Sequence, residues 1–392
     1  MCWLRPPRAQ AYSGPALKLL LPRLPALMTF AEDLLAWGRL HGRRGMPWQQ
    51  TTNGVLNVYW VWVSEVMLQQ TQVQTVQHYF LAFIRRFPSR RALAEAALDD
   101  VLAAWSGLGY YRRARNLHAA ARQLELNYSQ NDWPSSRDAW QALPGLGRST
   151  AAAIVASCFN QREAILDGNV KRVLARQVCA EQPWGSAALD RFLWDEAQAR
   201  LPRQADAMPL YTQSLMDLGA TVCLPRRPDC VPCPVSVYCQ AFQRKASLEF
   251  PRPKPAKARP VRQARWLVIA QPDPRTGEFR LGLQQQPEEG VWAGLWSFPA
   301  LDSSAFMPEG WAEWERFQHD FSHFRLAVGL WMPKPLLNAL GEAGSVPSVQ
   351  DSVPVAFGCS PPTFKTITDW LEQGIPSPVR QVLLRLAKSL QT

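Results

Sequence analysis

The chain has 392 residues, of which 47% are hydrophobic and 19% are charged. This apolar content is sufficient for packed cores and excludes a wholly disordered chain, and the length suits two or three domains. Lysine and arginine outnumber aspartate and glutamate by 43 to 32, and the net charge of +11 favours a polyanionic partner, with nucleic acid first. Because apolar runs are short, a membrane-spanning helix is not expected.

Residues 1–28 are predicted to be an extension, either disordered or upstream of the working start of the protein. They contain no acidic residue. Lysine, arginine and proline interrupt their apolar stretch, which is unlike the clean apolar core of a secretory signal peptide. Helical patterning begins just after Met28, so the folded part is expected from residue 29 onward.

The spacing of apolar residues from 29 to 242 predicts a helical region. One helix is expected to begin after Ser89 and to end before Gly107, a residue suited to a left-handed C-cap. Further helices are predicted over 112–126, 149–158 and 170–178.

The stretch 243–265 has four prolines among eight lysines and arginines. Such a basic, proline-rich composition is typical of a semi-extended linker. After it, apolar and polar residues alternate, so strands are expected near 279–284 and over 323–331, and a helix over 378–390 closes the chain. Residues 266–392 are therefore predicted to be a smaller α+β domain.

Four of the eight cysteines lie close together in sequence, and their crowding indicates a metal site rather than a disulfide scaffold. They could hold a zinc ion or an iron–sulfur cluster. Structural zinc usually uses two C-x2-C pairs, whereas one is present, so the spacing leans modestly towards iron–sulfur. The four are Cys223, Cys230, Cys233 and Cys239.

Residues 143–147 read Leu-Pro-Gly-Leu-Gly and lead into an alanine-rich helix. The two glycines permit a tight turn whose backbone N–H groups, with the N-terminus of the next helix, could bind a phosphate oxygen. Glycine is also common in ordinary helix connections, so the pattern fits either interpretation about equally.

Two carboxyl groups stand in notable surroundings. Glu65 lies in an apolar run, where burial would raise its pKa and suit it to donate a proton. Asp167 precedes a basic helix and could simply be its N-cap. Glycosidic bonds are usually cut by two carboxyl groups working together, but the sequence alone does not show that these two meet.

These features together resemble the adenine DNA glycosylases of the MutY type, members of the helix-hairpin-helix, Gly/Pro-Asp superfamily. The motifs occur in the family's order. The resemblance is carried by the four cysteines and by the segments SEVMLQQTQV (64–73), GLGYYRRARNLHAAA (107–121), LPGLGRSTAAAI (143–154), ILDGNVKRVLAR (165–176) and MDLGA (216–220).

The resemblance implies a mainly α catalytic domain over 29–242, with a cleft between two helical lobes and a 4Fe-4S cluster bound by the four cysteines in the loop 223–239. Glu65 matches the family's catalytic acid, which protonates adenine so that the base leaves. Asp167 matches the aspartate that stabilises the oxocarbenium-like sugar, and Asn169 matches a residue that supports that acid.

The resemblance also implies contacts with DNA. Pro144, Gly145 and Gly147 match the hairpin that grips a phosphate. Gln70 and Tyr110 match residues that wedge into the duplex beside the flipped base.

Ser149 and Lys171, two further expected DNA contacts, bear on strand cleavage. In relatives resembling endonuclease III, a nucleophilic lysine stands where this chain has Ser149, and a serine cannot form a Schiff base. A glycosylase without strong strand-cleaving activity is therefore expected. The amine of Lys171 could still support weak strand cleavage.

The C-terminal segments GVWAGLWSFP (290–299) and FSHF (321–324) are similar to parts of the family's Nudix-like domain, which reads 8-oxoguanine on the opposite strand. Phe321, Ser322 and His323 match the loop that contacts the damaged base. The glutamate-rich Nudix catalytic motif is absent from the sequence, so this domain is expected to bind a base and not to hydrolyse nucleotides.

One segment departs from the family. Between Trp48 and Tyr59 the chain is a few residues longer than is usual, and Val58 stands where proline is common. This loop approaches the adenine pocket in the family, so the local contacts of the pocket are expected to differ.

The expected activity is hydrolysis of the N-glycosidic bond of adenine mispaired with 8-oxoguanine or guanine in double-stranded DNA. The protein is expected to act as a monomer in the bacterial cytoplasm, at the nucleoid. Two alternatives are a mismatch glycosylase of another specificity, such as thymine opposite guanine, and a non-catalytic iron–sulfur DNA-binding sensor. The C-terminal domain disfavours the first alternative, and the Glu65 and Asp167 motifs disfavour the second.

Overall fold

In a computed structural model the described residues are 29–52, 54–129, 132–254, 258–273, 275–276, 278–301, 306–307, 309–321, 323–339 and 361–391. The predicted extension over 1–28 and Ser322 lie outside these ranges. No helix within them is long and apolar enough to cross a membrane.

The described part of the chain from residue 29 to 254 is mostly helical, as predicted. A short antiparallel hairpin, β1 (Thr51–Thr52) with β2 (Val55–Leu56), precedes the second helix. The three helices predicted over 112–126, 149–158 and 170–178 correspond to α6, α8 and α9. The helices are α1 (Phe30–His41), α2 (Val58–Leu68), α3 (Val73–Arg86), α4 (Arg90–Glu95), α5 (Leu98–Ala104), α6 (Arg112–Asn127), α7 (Arg137–Gln141), α8 (Arg148–Phe159), α9 (Gly168–Gln177), α10 (Ala187–Ala199), α11 (Met208–Asp217) and α12 (Gln240–Gln243).

The helix predicted after Ser89 is two helices, α4 and α5. Ser89 caps α4 as expected, but Ala96 and Ala97 have extended backbone, with ψ of 152° and 142°. A ring nitrogen of His118, on α6, lies 3.0 Å from the Ala96 carbonyl oxygen. The prediction of one helix was wrong because a side chain from another helix takes a carbonyl that a continuous helix would have used. Gly107 has the expected positive φ, 103°.

The helices pack into two lobes around separate apolar cores. The first core contains Trp62 of α2 and Phe80 of α3, and the second contains Leu34 of α1 and Tyr211 of α11. All four side chains are almost fully buried.

Helix α8 lies between the lobes and contributes to both cores. Ile154 and Val155 pack in the first core, while Ala152, Ala153 and Ala156 pack in the second. A helix that is apolar on all sides is expected to be buried. Because the second face carries only alanines at these positions, the second lobe can approach the backbone of α8 closely.

The stretch predicted as a linker, 243–265, is ordered against its neighbours at several points. Phe250 is buried, and its carbonyl accepts a 3.0 Å hydrogen bond from Arg176 Nε. Arg252 forms a salt bridge with the second lobe. Strand β3 (Val261–Leu267) begins inside the predicted linker.

The C-terminal part is α+β, as predicted. One sheet has the order β7-β3-β9-β8, with β3 and β9 parallel, and the other has the order β10-β5-β4, with β6 paired to β5. Helix α15 covers a core that includes Trp266, Leu283 and Leu383. The remaining elements are β4 (Ile269–Pro272), β5 (Phe279–Gln285), β6 (Trp296–Ser297), β7 (Ala300–Leu301), β8 (Trp311–Asp320), β9 (Arg325–Pro333), β10 (Thr363–Lys365), α13 (Lys334–Ala339), α14 (Ile367–Leu371) and α15 (Ser377–Gln391).

The C-terminal part packs directly on the first helical lobe. Leu295 is fully buried within the core of that lobe. The Tyr111 hydroxyl donates a 2.6 Å hydrogen bond to the Ile375 carbonyl, and Arg115 forms a 2.9 Å salt bridge with Glu288. The start of α6 is therefore a junction between the two parts of the chain.

Candidate active site

Glu65 projects from α2, whose position is fixed at its first turn. The Asn57 side chain caps the helix by accepting a 3.2 Å hydrogen bond from the Trp60 amide. The Tyr59 hydroxyl donates a 2.7 Å hydrogen bond to the Phe87 carbonyl. Most other side chains of α2 are buried, so this helix holds a carboxyl group inside an apolar lobe.

The half-buried Glu65 carboxyl is difficult to ionise. Burial is the larger cause and the negative charge of Asp167 the smaller, and together they raise the pKa of Glu65 to about 7. Near neutral pH, a large share of the molecules therefore carries a proton on this side chain.

Asp167 is the N-cap of α9, and its Oδ1 accepts a 2.7 Å hydrogen bond from the Val170 amide. Burial raises the pKa of Asp167. The Val170 and Asn169 amides, the positive charge of Arg172 and the Asn169 side chain oppose that rise by stabilising the anion. Asp167 can both cap the helix and take part in chemistry, because the cap uses only its Oδ1 atom and leaves Oδ2 available.

Glu65 and Asp167 come together from different lobes. Helix α2 belongs to the first lobe and α9 to the second, and α8 packs against α2. The Leu166 amide, next to Asp167, donates a 2.9 Å hydrogen bond to Ser149 Oγ on α8. Helix α8 thus holds both carboxyl-bearing segments, which explains how the charge of Asp167 reaches Glu65.

Arg172 joins the Asp167 turn to the cysteine segment. Its Nη2 donates to Asn169 Oδ1 at 3.0 Å and to the Gly219 carbonyl at 2.6 Å, and its Nε donates to the Cys223 carbonyl at 2.8 Å. A Cβ atom at Gly219 would lie 2.7 Å from the Asn169 Cβ. Glycine is required there so that α9 and the segment before Cys223 can meet.

Pro144, Gly145 and Gly147 form the turn between α7 and α8, so the predicted helix-hairpin-helix is present. Gly145 has φ +77°, and a Cβ there would lie 2.6 Å from the Asn116 Cβ. Gly147 is the N-cap of α8, and no side chain caps this helix. The N–H groups of its first turn are therefore open to an anion.

Gln70 and Tyr110 lie in two surface turns of the first lobe. Both side chains are exposed, Tyr110 at 54%. Both residues have positive φ, 59° and 50°. A left-handed backbone costs a residue with a side chain roughly 1–2 kcal/mol, and such strain is concentrated at functional sites.

Ser149 and Lys171 both bind other parts of the protein. The Ser149 hydroxyl accepts the Leu166 amide described above. Lys171 Nζ lies 2.6 Å from Asp190 Oδ1. The Lys171 ammonium group is therefore engaged by Asp190.

The four predicted cysteine ligands line one cavity. A π-helical turn (Leu218–Val222) after α11 leads into the first of them, and Arg176 Nη1 donates a 3.2 Å hydrogen bond to Cys223 Sγ. The cavity walls include Val173, Phe242, Cys223, Cys230, Cys233 and Cys239.

The four thiols are a donor set that binds metal. As thiolates they could hold a zinc ion or an iron–sulfur cluster. Across the residues that the structure describes, no three His, Cys, Asp or Glu side chains converge closely enough to hold one metal ion. The Arg176 guanidinium, which donates to Cys223 Sγ, would offset the negative charge of bound thiolates.

Phe321 and His323 lie in the turn between β8 and β9. Phe321 stacks on Phe324 with 4.4 Å between ring centroids and contacts the Trp292 ring at 5.2 Å. His323 is exposed. Ser322, the third predicted contact, lies outside the described residues. The aromatic contacts fix the turn and leave His323 at the surface.

The segment between Trp48 and Tyr59, which differs from the family pattern, contains the hairpin β1–β2. Gly54 lies in its turn with φ +78°. Strand β2 packs near α8. Val58 is the first residue of α2, a position that accepts proline without loss of a hydrogen bond.

Two residues near the site were missed from the sequence. Burial and, second, the charge of Glu65 raise the pKa of the Cys158 thiol to about 12, so this thiol lies near the acid. Gln69 Nε2 donates a 3.2 Å hydrogen bond to Thr150 Oγ1, which joins the end of α2 to α8. Because residues 151–156 of α8 are all apolar, the sequence gave no signal for the direction in which Cys158 points.

Residues 63–188 match the family model of the HhH-GPD superfamily base excision DNA repair protein. The match includes Glu65, the hairpin and Asp167. The fold and the site thus define a base excision DNA repair protein of the helix-hairpin-helix class.

Sequence relatives narrow this class. The adenine DNA glycosylase of Buchnera aphidicola subsp. Schizaphis graminum is 32% identical over 314 residues, covering 77% of this chain and 86% of the relative. That of Buchnera aphidicola subsp. Baizongia pistaciae is 30% identical over 352 residues, covering 87% and 96%. That of Rattus norvegicus is 34% identical over 357 residues, covering 80% and 67%. The chain belongs to the adenine DNA glycosylase family and is a DNA glycosylase.

Proposed function

We propose that this protein hydrolyses the N-glycosidic bond of adenine mispaired with 8-oxoguanine or guanine in double-stranded DNA. The observation that carries the proposal is the pair of carboxyl groups between the lobes. Burial and a neighbouring anion raise the pKa of Glu65 to about 7, so it holds a proton near neutral pH. At Asp167, backbone amides, Arg172 and Asn169 oppose the rise in pKa that burial causes. Cutting a glycosidic bond needs an acid for the leaving group and negative charge beside the cationic sugar.

In this mechanism, Glu65 donates its proton to a ring nitrogen of the flipped adenine, and the base leaves as a neutral molecule. Asp167 stabilises the positive charge that develops on the sugar through the oxygen that its cap does not use. Water then adds to the sugar carbon, and the proton it releases restores the acid form of Glu65.

The reaction is expected to stop at the abasic site. Strand cleavage needs an amine that forms a Schiff base with the opened sugar. Ser149 has no amine and bonds to the Leu166 amide, and the Lys171 ammonium is paired with Asp190. These contacts support a monofunctional glycosylase.

DNA would be held by the basic surface and by the open amides at the start of α8, beside Gly145 and Gly147. The exposed Gln70 and Tyr110 would enter the duplex beside the extruded adenine. The β8–β9 turn, with Phe321, Ser322 and His323, would read 8-oxoguanine on the opposite strand as part of a Nudix-like domain. A single copy of the chain contains all these groups, so we propose that it acts as a monomer.

Cys223, Cys230, Cys233 and Cys239 would hold a 4Fe-4S cluster. Bound by these four residues, such a group would cross-link the loop 223–239 beside the second lobe. Iron analysis and absorption in the visible-blue region would distinguish this cluster from zinc. Stoichiometric zinc without iron in protein purified without oxygen would contradict the assignment.

The function is tested by incubating the protein with a duplex that has one adenine opposite 8-oxoguanine. Strand breaks are then measured with and without alkali treatment. We expect strand breaks only after alkali, and no excision of adenine opposite thymine. Breaks without alkali would contradict the monofunctional assignment. Release of thymine opposite guanine, without release of adenine, would support a mismatch glycosylase specific for thymine. DNA binding without release of any base would support a non-catalytic DNA-binding sensor.

A further inference from the structure

A single arginine joins the two turns that carry Gln70 and Tyr110. Arg113 projects from α6 and is 8% exposed. The four N–H groups of its two terminal nitrogens donate to six acceptors at 2.5–3.2 Å, three around each nitrogen, so some of these hydrogen bonds are bifurcated. The acceptors are the carbonyls of Val66, Met67, Gln69, Leu108 and Gly109 and the Thr71 hydroxyl.

Two of these acceptors immediately precede the strained residues. The Gln69 carbonyl belongs to the peptide unit before Gln70, and the Gly109 carbonyl belongs to the unit before Tyr110. The φ angle of a residue sets the orientation of the peptide unit before it. Hydrogen bonds to these two carbonyls therefore hold φ at 59° and 50°.

The guanidinium also supports the Tyr110 side chain. Its central carbon lies 5.5 Å from the Tyr110 ring centroid and 5.4 Å from that of Trp105. Burial lowers the pKa of Arg113 to about 10, so it stays charged at neutral pH. Burying a cation among neutral acceptors carries a desolvation cost, which apolar packing alone would avoid.

We propose that Arg113 is a positioning residue for adenine extrusion, which holds Gln70 and Tyr110 in the strained backbone geometry that lets both enter the duplex together. The inference rests on the proposed function, in which these two residues wedge into DNA. Arg113 acts through the two turns and does not itself contact the base. Lysine cannot replace it, because one ammonium group cannot reach both sets of carbonyls that the planar guanidinium spans.

The experiment compares single-turnover excision by the wild type, Arg113→Lys and the matched control Arg112→Lys. Arg112 is the exposed neighbour on α6, and both substitutions keep the charge. Two duplexes are used: adenine opposite 8-oxoguanine, and adenine opposite an abasic-site analogue, where no base pair must be opened. Arg113→Lys should lose about tenfold or more on the paired duplex but under about threefold on the abasic one. Arg112→Lys should match the wild type on both.

A double-variant cycle tests whether Arg113 acts through Gln70. If it does, Arg113→Lys combined with Gln70→Ala should lose little more than the worse single variant. Thr71→Val removes one acceptor of the guanidinium and should show a smaller loss with the same dependence on pairing. It replaces Arg113→Lys in both assays if thermal unfolding shows that the lysine variant does not fold.

Equal losses on the two duplexes, or losses that multiply in the double variant, would overturn the proposal and give Arg113 a purely structural role. Failure of the wild type to release adenine from the mispaired duplex would overturn the proposed function instead. The two failures are distinguishable, because the second is visible without any variant.

Discussion

Glu65 and Asp167 are carboxyl groups with similar ordinary pKa values, 4.5 and 3.8, in very different surroundings. Glu65 projects from an apolar helix, and both influences on its pKa, burial and a neighbouring anion, favour the protonated form. Asp167 begins a helix, where backbone amides, Asn169 and Arg172 favour the anion against burial. The surroundings, rather than the carboxyl group itself, thus favour the protonated form at Glu65 and support the anion at Asp167.

The largest expected effect comes from replacing the acid. Glu65→Gln keeps the shape of the side chain but removes its proton, so single-turnover excision should fall by about 10³-fold, within the range typical of a general acid. DNA affinity, measured by fluorescence anisotropy, should be retained. Glu95→Gln, at an exposed position of α4, is the control. Excision within about threefold of the wild type would remove Glu65 from the mechanism.

The next effect comes from neutralising the anion. Asp167→Asn keeps a side chain that caps helices as well as aspartate does, so the melting temperature should change little. Loss of the negative charge beside the sugar should reduce excision by about 10²-fold. Asp195→Asn, at an exposed site on α10, is the control. A large drop in melting temperature would instead show that the carboxylate is mainly structural.

The pH dependence of excision tests the assigned protonation states of Glu65 and Asp167 without any substitution. Glu65 works in its protonated form, and its pKa is raised to about 7, so excision should be high below pH 7 and fall about tenfold per unit above it. Asp167 works as the anion, so excision should also fall at acidic pH, below the pKa that burial raises. Single-turnover rates between pH 5 and 9 provide the profile. A rate that does not fall above pH 7 would contradict the assignment of Glu65 as the acid.

The smallest expected effect concerns the support of Asp167. Asn169→Ala removes a hydrogen bond that lowers the pKa of Asp167, so this pKa should rise and the acidic limb should move to higher pH. The loss of excision should therefore grow as the pH is lowered. Asn127→Ala, at the exposed end of α6, is the control. An equal loss at every pH would show that Asn169 acts only through packing.

Local features were largely predictable. The cap at Ser89, the glycine turn before α8, the closing helix α15 and the α+β character of the C-terminal part all follow from residues within a few positions of one another. Capping, turn formation and hydrophobic periodicity are local interactions, so the sequence displays them directly.

The break at Ala96 was not predictable, because the group that takes its carbonyl, His118, comes from another helix. The role of Arg113 was not predictable either. In the sequence it is an ordinary basic residue at the start of a helix, but in the structure it donates hydrogen bonds to carbonyl groups of two separate turns. Side-chain hydrogen bonds between distant segments leave no periodic signal in a sequence.

The sequence alone determined which residues carry the chemistry: an acid in an apolar run, an aspartate before a basic helix and four crowded cysteines. Only the tertiary structure decided that Glu65 and Asp167 lie near each other, and that hydrogen bonds and Arg172 oppose the effect of burial at Asp167 but not at Glu65. The physical reason is that a pKa depends on desolvation and on charges within a few ångströms. Here those neighbours come from both lobes, and the packing around α8 brings them together.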